Sequence, residues 1–419
     1  MQRDYLRSAV KFLRARACRP ERATVLVWAI ASLLLWRLWH LRTSGHWDFL
    51  VYYWAAKAQA AGLDPYNLKS LGAVAGQQMV LPYLYPPGFL YFFRPLTWLS
   101  LHNAIIVFVS LKVIGLVVLL RLWRIYLGPK ETLPLFLLVV FAFSSSVFND
   151  FFAGNVGTFE QLALWIGFGL LLKQRIAAFA VMVVLASVAK MTPLAFLVLV
   201  LFTTHRQRYW IFGAAVVGGA AAILASFGGS WTRLANYLAM VTAVDERGPT
   251  NTAILPLLKD VYNFLQRTHH LPPTLSPQVT YCLIVLLLAG STAFVIARIW
   301  RQHRDNRDAI LDYVIGAVLL YAIALPRFKD YSYGLLIPVV VFVGRRMTNA
   351  LPLLVLLASL TARNTLARFA LDDFPLADFF WRYFNLVLAG VLWVSFMVYA
   401  WARGKPLSGA TTTQADPLP

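Results

Sequence analysis

The stretch IAAFAVMVVLASVAKMTPLAFLVLVLF, residues 176–202, carries a single charged side chain, Lys190, in an otherwise apolar run. Similar runs recur along the 419-residue chain, in which hydrophobic residues make up 59% and charged residues 13%. Soluble domains average roughly 45–50% and about 25%. A chain of this composition cannot cover its apolar surface with polar groups, which excludes an ordinary soluble enzyme. The 14 Trp, 18 Tyr and 29 Phe are typical of aromatic belts at membrane interfaces. We therefore predict an all-α polytopic membrane protein.

The number of crossings follows from the apolar segments. One of them, 86–122, is too long for a single straight crossing at 1.5 Å per residue; it contains Pro95 and the polar pair His102 and Asn103, so we expect it to divide. Several others are shorter than the usual ~20 residues. We predict about 11–13 transmembrane helices. The segments lie near 24–40, 86–122, 132–148, 157–172, 176–189, 191–203, 209–226, 277–299, 309–325, 332–344, 349–362 and 381–402.

The charges predict the orientation in the membrane. Lys and Arg number 38 against 18 Asp and Glu, a net charge of +20. In a soluble protein this excess would suggest nucleic acid, but in membrane proteins Lys and Arg gather on the cytoplasmic side. When successive segments alternate sides, more than half of the cations lie on one side together with both termini. We predict a basic cytoplasmic N-terminus at 1–22, a membrane domain at 23–402 and a disordered cytoplasmic tail at 403–419.

The predicted outer face holds the loops 42–85, 227–276 and 363–380, which we expect to carry short interfacial helices. Asp48 lies in the first of these loops, among Trp47, Phe49, Tyr52 and neighbouring aromatic residues. A carboxylate in such water-poor surroundings has a raised proton affinity and can act as a general base. The alternative is that Asp48 is the N-cap of the helix that begins there.

Tyr83 and Tyr85 open the next apolar stretch, in Tyr83-Leu84-Tyr85-Pro86-Pro87. Their ring faces could stack on a sugar; alternatively they are interfacial belt residues. Asp150 and Asn155 lie in a short polar elbow between two apolar segments. Acids at membrane depth are candidates for function, although Asp150 could equally be a solvated elbow residue.

Three cations interrupt or follow apolar segments: Lys190, Arg327 and Lys329. A lysine inside an apolar run needs an anion or a cage of carbonyls, and a phosphate would serve. The alternatives are a Lys190 that snorkels from a helix end, and a local salt bridge with Asp330 for the other two cations.

The chain lacks several sequence signatures. It has no G-x-G-x-x-G motif, no Walker A loop and no D-x-D pair, so nothing predicts a nucleotide or metal–pyrophosphate site. Two Cys residues exclude a disulfide framework and a Cys-based metal site. We expect no cofactor, with a divalent metal left as an open alternative.

The order of these motifs resembles glycosyltransferase family 87. The resemblance rests on Asp48 after the first helix, on Gly62–Tyr66 (G-x-D-P-Y) and Tyr83–Pro87 (Y-x-Y-P-P), and then on Gly154-Asn155, Lys190–Pro193 and the loop Asn251-Thr252-Ala253. It implies a GT-C-type helical bundle and a polyprenyl-phosphate-sugar-dependent transferase. Such an enzyme would move a sugar, most simply mannose, to a lipid or glycan acceptor with inversion. The chain departs from the family where Asn155 replaces a common Gln.

The resemblance also implies roles for individual residues. Asp48 would be the catalytic base, and cations would stabilise the departing lipid phosphate. Partners would be the prenyl-linked donor, a glycolipid or polysaccharide acceptor and membrane lipid, with no nucleic acid. The site would face the exterior of a bacterial cytoplasmic membrane. Alternatives are a lipid-linked glycan polymerase and a polyprenyl-lipid transporter or flippase. The predicted substrate-binding residues are Lys190, Arg327, Lys329, Asp150, Asn155, Tyr52, Tyr83, Tyr85 and Asn251.

Overall fold

A computed structural model describes residues 45–127, 132–248, 250–269, 276–303, 307–346 and 381–403, together with positions 29, 32 and 36. Within these ranges the chain is all-α, and its β structure is limited to one isolated bridge between Gly248 and Asn251. The predicted class is confirmed. Apart from the three isolated positions, the predicted first crossing lies outside the described residues, as do the termini 1–22 and 404–419, the segment 349–362 and the loop 363–380.

Fourteen helices are named here, in chain order, from the described part of the chain. They are α1 Trp47–Ala60, α2 Leu68–Ala75, α3 Leu90–Phe93, α4 Leu101–Leu127, α5 Thr132–Ala153, α6 Gly157–Leu172, α7 Ile176–Ala189, α8 Arg208–Ser226, α9 Trp231–Ala243, α10 Ile254–His269, α11 Pro277–Gln302, α12 Arg307–Ala324, α13 Ile337–Arg346 and α14 Phe384–Arg403. Four 3₁₀ segments join them: Pro87–Phe89, Arg94–Trp98, Thr192–Phe202 and Asp330–Leu336.

Five of the described helices, α4, α5, α8, α11 and α14, are long and apolar enough to cross a membrane. The apolar helices α6 and α7 and the segment Thr192–Phe202 are shorter. The protein is therefore a polytopic membrane protein. The total of 11–13 crossings stays a prediction, as do the domain boundaries. The outer loops predicted at 42–85 and 227–276 do contain short helices, α1 and α2 in the first, α9 and α10 in the second.

Two breaks in the apolar pattern are confirmed. The stretch 86–122 divides into short turns that end at Trp98 and the long helix α4, which begins at Leu101. At the second break, α7 ends at Ala189 and Lys190 is extended, with φ −139° and ψ 128°. Pro193 lacks an N–H and cannot continue a helix, so the chain resumes as the 3₁₀ segment Thr192–Phe202.

Helix α5 is bent in its middle. Phe143, Ser144 and Ser145 adopt left-handed backbone angles, with φ between 51° and 59°. Such angles cost L-residues roughly 1–2 kcal/mol each. Side chains satisfy the freed carbonyls, because Asn385 Nδ2 lies 3.3 Å from the Phe143 oxygen and Asn149 Nδ2 lies 3.0 Å from the Ser144 oxygen. The bend directs the last turns of α5 toward the elbow that joins it to α6.

The buried residues form two clusters. The larger one fills the bundle around α5, α6, α7, α12 and α14. The second is rich in aromatic residues and lies beneath α1, where Phe49, Tyr52, Tyr83, Phe89 and Phe93 pack together. The ring centroids in this cluster lie about 5–6.5 Å apart, and several pairs meet edge to face. Aromatic pairs prefer this arrangement. The elbow between α5 and α6 lies where the two clusters meet.

Candidate active site

The start of α1 places Asp48. The N-cap is His46, in a left-handed conformation with φ 58°, and Asp48 lies in the first turn without capping it. The N-cap alternative considered for Asp48 is therefore wrong. Two glycines allow α1 to begin this close to the α5–α6 elbow. A Cβ on Gly45 would lie 2.5 Å from the Phe152 oxygen, and one on Gly154 would lie 2.8 Å from the Phe49 Cβ.

The elbow between α5 and α6 presents Asn155. Its backbone N–H donates to the backbone carbonyl oxygen of Asp150 at 3.0 Å, and its side-chain Oδ1 accepts the Gly157 N–H at 2.9 Å. The second bond satisfies a free N–H at the start of α6 and orients the amide, so that Nδ2 points at α1. Asn155 is fully buried. This elbow also contacts the start of α1, because the His46 N–H donates to the Phe152 oxygen at 2.7 Å.

Four oxygens surround Asn155 Nδ2. Asp48 Oδ2 lies at 2.7 Å, and the hydroxyls of Tyr52, Tyr85 and Tyr331 each lie at 3.0 Å. An amide nitrogen has two hydrogens. The charged acceptor takes one of them, since bonds to a carboxylate are shorter and stronger than bonds to neutral oxygens, and the three phenols share the other.

Asp48 is held through one oxygen. Its Oδ2 accepts from Asn155 and also from the Tyr331 hydroxyl at 3.0 Å. No residue in the described ranges donates to Oδ1 or brings a cation within ion-pair distance of this carboxylate. Asp48 is half-buried. The arrangement leaves a carboxylate oxygen that can accept a proton from a bound group while the other oxygen fixes its direction.

The predicted tyrosines occupy different depths. Tyr52 OH donates to Tyr85 OH at 2.8 Å, and their rings meet edge to face at 5.1 Å. Burial raises the pKa of Tyr52, Tyr85 and Tyr331, so these phenols stay protonated. Tyr83 is fully buried and donates to the Pro86 oxygen at 2.9 Å. It therefore holds the Tyr83–Pro87 segment in place, and a contact between Tyr83 and a sugar stays a prediction.

Asp150 lies beneath the elbow, with 2% of its surface exposed. Lys112 Nζ is 2.8 Å from its Oδ2, and Thr158 donates to the same oxygen from both its N–H and its hydroxyl. A solvated elbow residue is thus the wrong interpretation of Asp150. Its burial favours a positioning role over the substrate contact predicted from the sequence.

Lys190 pairs with Glu160. Its Nζ lies 2.5 Å from Glu160 Oε2, and the carboxylate also accepts from Tyr321 at 3.2 Å. The Tyr321 hydroxyl in turn bonds to Thr192 at 2.8 Å. The Lys190 side chain is 22% exposed. The predicted need for an anion at the break is met here by a carboxylate, and binding of a phosphate stays a prediction.

Arg327 and Lys329 share one partner from the loop after α9. Glu246 lies 2.7 Å from Arg327 Nη2 and 2.9 Å from Lys329 Nζ. The predicted alternative of a local salt bridge with Asp330 is wrong. Asp330 instead accepts from Asn385 Nδ2 at 3.0 Å and from the Thr252 hydroxyl.

Asn251, which the sequence predicted as substrate-binding, is buried against the segment that precedes Tyr331. Its Oδ1 accepts the Phe328 N–H at 2.9 Å, and its Nδ2 lies 3.5 Å from the Pro326 oxygen. In this structure Asn251 fixes the chain that presents Arg327, Lys329 and Tyr331. A direct contact between Asn251 and substrate stays a prediction.

Four residues at the site were not among the predicted site residues: Tyr331, Lys112, Glu160 and Glu246. Lys112 carried the same signal as Lys190, a lone cation inside an apolar run. Glu160 follows the elbow within an apolar helix, where an acid is costly. Tyr331 is adjacent to the predicted cations, but no local pattern points to Glu246, because its partners lie 81 and 83 positions further along the chain.

Metal binding has no obvious location in the described part of the chain. No group of three or more His, Cys, Asp or Glu side chains there could hold a metal ion. The prediction that the protein needs no cofactor stays a prediction.

Comparison with protein families identifies a match for this chain. The model of glycosyltransferase family 87 matches residues 83–326, more than half of the chain. The matched region contains Tyr85, Asn155 and Lys190, whereas Asp48 and Tyr331 lie outside it. No curated protein and no solved structure matches. From the extent of the family match, the chain belongs to glycosyltransferase family 87.

Proposed function

We propose that this glycosyltransferase moves mannose from a polyprenyl-phosphate donor to a lipid or glycan acceptor, with inversion, at the outer face of a bacterial cytoplasmic membrane. Family membership supports transfer of a sugar. The membrane-spanning helices support a lipid-linked donor, because the prenyl chain can lie in an apolar groove between them.

The observation that carries the proposal is the asymmetric binding of Asp48. Asn155 and Tyr331 both bind Oδ2, and no described residue binds Oδ1. A general base needs an oxygen within hydrogen-bond reach of the proton it removes. The two neutral donors hold the carboxylate in one orientation without neutralising it.

The reaction then follows in one displacement. Oδ1 of Asp48 takes the proton of the acceptor hydroxyl as that oxygen forms a bond to the anomeric carbon. The bond from this carbon to the phosphate oxygen breaks, and the electron pair leaves with the lipid phosphate. Because attack and departure occur on opposite faces, a β-linked donor gives an α-linked product.

The leaving phosphate needs positive charge, which preorganised cations supply. Lys190 is close enough to Tyr85, and Arg327 to Tyr331, for an electrostatic interaction. Lys329 Nζ lies 5.9 Å from the Tyr331 ring centroid. Each cation already binds a carboxylate, either Glu160 or Glu246. We propose that the donor phosphate takes the place of one of these carboxylates.

The sugar would lie against the half-buried Tyr85 and the polar cluster around it. The Tyr85 hydroxyl is the one that can bind a sugar hydroxyl, and the buried Tyr52 orients it by donating to it at 2.8 Å. Tyr66 supports this surface from behind, since its hydroxyl donates to the backbone carbonyl oxygen of Tyr85 at 2.9 Å.

Mass spectrometry of membrane glycolipids tests the proposal. Cells that lack the protein should lose one hexose from one lipid or glycan species, and the wild-type gene should restore it. A synthetic short-chain prenyl-phosphate mannose should serve as donor for membranes from the same cells. An unchanged glycolipid profile, together with no transfer from this donor, would contradict the proposal.

A further inference from the structure

Lys112 lies in the middle of α4 and has no access to solvent. The rings of Phe151 and Phe108 flank its ammonium, at 4.7 and 5.7 Å from their centroids. A group in this position cannot contact a donor or an acceptor. Burying a charge here is costly unless its hydrogen bonds are satisfied. The partners of Lys112 therefore indicate which part of the structure the ammonium stabilises.

The ammonium donates two hydrogen bonds and forms one ion pair, all of them on the α5–α6 elbow. Lys112 Nζ lies 2.6 Å from the Asp150 backbone oxygen, 2.7 Å from the Asn155 backbone oxygen and 2.8 Å from Asp150 Oδ2. A lysine that served only to neutralise Asp150 would need the carboxylate alone. The two carbonyls instead belong to the two ends of the turn, so the ammonium joins both ends to α4.

The same turn carries the groups next to the catalytic carboxylate. Asn155, whose carbonyl Lys112 binds, donates from Nδ2 to Asp48 Oδ2 at 2.7 Å. The elbow also accepts the N–H of His46, where α1 begins. The direction of Asp48 therefore depends on where this elbow sits.

We propose that Lys112 is a positioning residue of the transferase: its ammonium clamps the α5–α6 elbow and thereby aims the Asn155 amide that orients Asp48. This inference rests on the proposed function, because it assumes that Asp48 is the base. The buried ion pair of Lys112 and Asp150 would then have a role in catalysis in addition to its effect on stability.

The test compares two charge-balanced double variants. Lys112→Met with Asp150→Asn, the clamp variant, removes both charges and every ammonium bond to the carbonyls. Arg403→Met with Asp312→Asn is the matched control, because that ion pair also has a fully buried acid. The control pair lies at the far end of α12 and α14, at least about 18 Å along α12 from Tyr331's segment at 1.5 Å per residue.

Turnover is measured with radiolabelled short-chain prenyl-phosphate mannose as donor and membranes from a deletion strain as acceptor. The clamp variant should lose roughly 10²-fold in kcat, the size of effect that a misplacement of about 1 Å produces, with little change in the KM for the donor. The control variant should keep its kcat. A clamp variant with wild-type kcat would overturn the proposal.

A double-mutant cycle shows whether Lys112 acts through Asn155. Combined with Asn155→Ala, the clamp variant should cost little further kcat, because the aimed amide is already gone. If instead the two losses multiply in full, Lys112 does not act through Asn155 and the inference is wrong.

Two further arms keep the outcome interpretable. Should the clamp variant fail to fold, Lys112→Gln with Asp150→Asn is measured instead, because the Gln amide retains two donors for the carbonyls. Its kcat should lie above that of Asn155→Ala, and a fully inactive but folded protein would contradict the clamp. Asp48→Asn is measured alongside. If Asp48→Asn stays active, the proposed function fails, whereas an inactive Asp48→Asn with an unaffected clamp variant refutes only the role of Lys112.

Discussion

Replacing Asp48 with Asn is the sharpest perturbation of the proposed base. The amide oxygen can accept from Asn155 and Tyr331 as Oδ2 does now. The amide NH₂ then occupies the place of Oδ1 and cannot take a proton. Helix α1 loses no cap, because His46 is the N-cap and no side chain caps there. The substitution therefore separates proton transfer from structure at this position.

The expected loss in turnover is large and the expected loss in stability is small. A positioned general base contributes roughly 10²–10⁴-fold, which corresponds to about 2.7–5.4 kcal/mol of barrier at 1.36 kcal/mol per tenfold. The two hydrogen bonds to Asp48 become neutral, and a typical bond contributes a net ~1 kcal/mol. Expression and the melting temperature in detergent should stay close to wild type.

The assay is mannose transfer from the short-chain prenyl-phosphate donor, with the melting temperature measured on the same preparations. Asp64→Asn is the matched control, since it makes the same chemical change in the same predicted outer loop, at a carboxylate held by the Tyr66 N–H and by Asn236. It should keep near-normal turnover. If Asp48→Asn also keeps near-normal turnover, the base assignment is refuted.

Three further predictions concern orientation and charge. In a cysteine-free background, Ser276→Cys should react with an impermeant thiol reagent added from outside, and Gln302→Cys should not. Helix α11 separates the two positions by about 39 Å at 1.5 Å per residue, and the opposite labelling would contradict the proposed topology. Lys190→Met with Glu160→Gln, which leaves no unpaired charge, should lower kcat roughly 10²-fold if Lys190 stabilises the leaving phosphate; wild-type kinetics would exclude that role. Glu246→Gln should lower the KM for the donor about fivefold, since it removes two ion pairs that together contribute about 1 kcal/mol. An unchanged or higher KM would show that Glu246 does not compete with the donor.

The elements of the fold were accessible from the sequence because each depends on local composition. Helices α6 and α7 begin and end at the boundaries of their apolar runs, and the break at Lys190 follows from Pro193. The bend in α5 was not predicted. No feature of the sequence at Phe143, Ser144 and Ser145 predicts a left-handed backbone. The freed Phe143 carbonyl is bound by Asn385, which lies on a helix far along the chain.

Site residues were predicted where a polar side chain interrupts an apolar sequence. Contacts between residues that are distant in the sequence were not predicted. Asp48 and Asn155 were both recognised, although their contact, 107 positions apart, follows only from the way Gly45 and Gly154 let the chain segments meet. From the sequence, Asp330 was the local alternative considered as the ion-pair partner of Arg327. In the structure Glu246 binds Arg327 instead, because tertiary packing brings the loop after α9 over the segment.

The pairing of Lys190, Arg327 and Lys329 with built-in carboxylates has a consequence for the end of the catalytic cycle. In the proposed reaction the lipid phosphate would remain as product among these cations after transfer, and an unopposed charge cluster would retain it. Glu160 and Glu246 are attached to the same chain, so they return as intramolecular ligands at an effective concentration in the millimolar range or above. We expect them to expel the spent lipid carrier and so limit product inhibition by polyprenyl phosphate. The three cations and their two carboxylates leave a net charge of about +1, so arrival of the donor should depend on lateral diffusion in the membrane and only weakly on ionic strength.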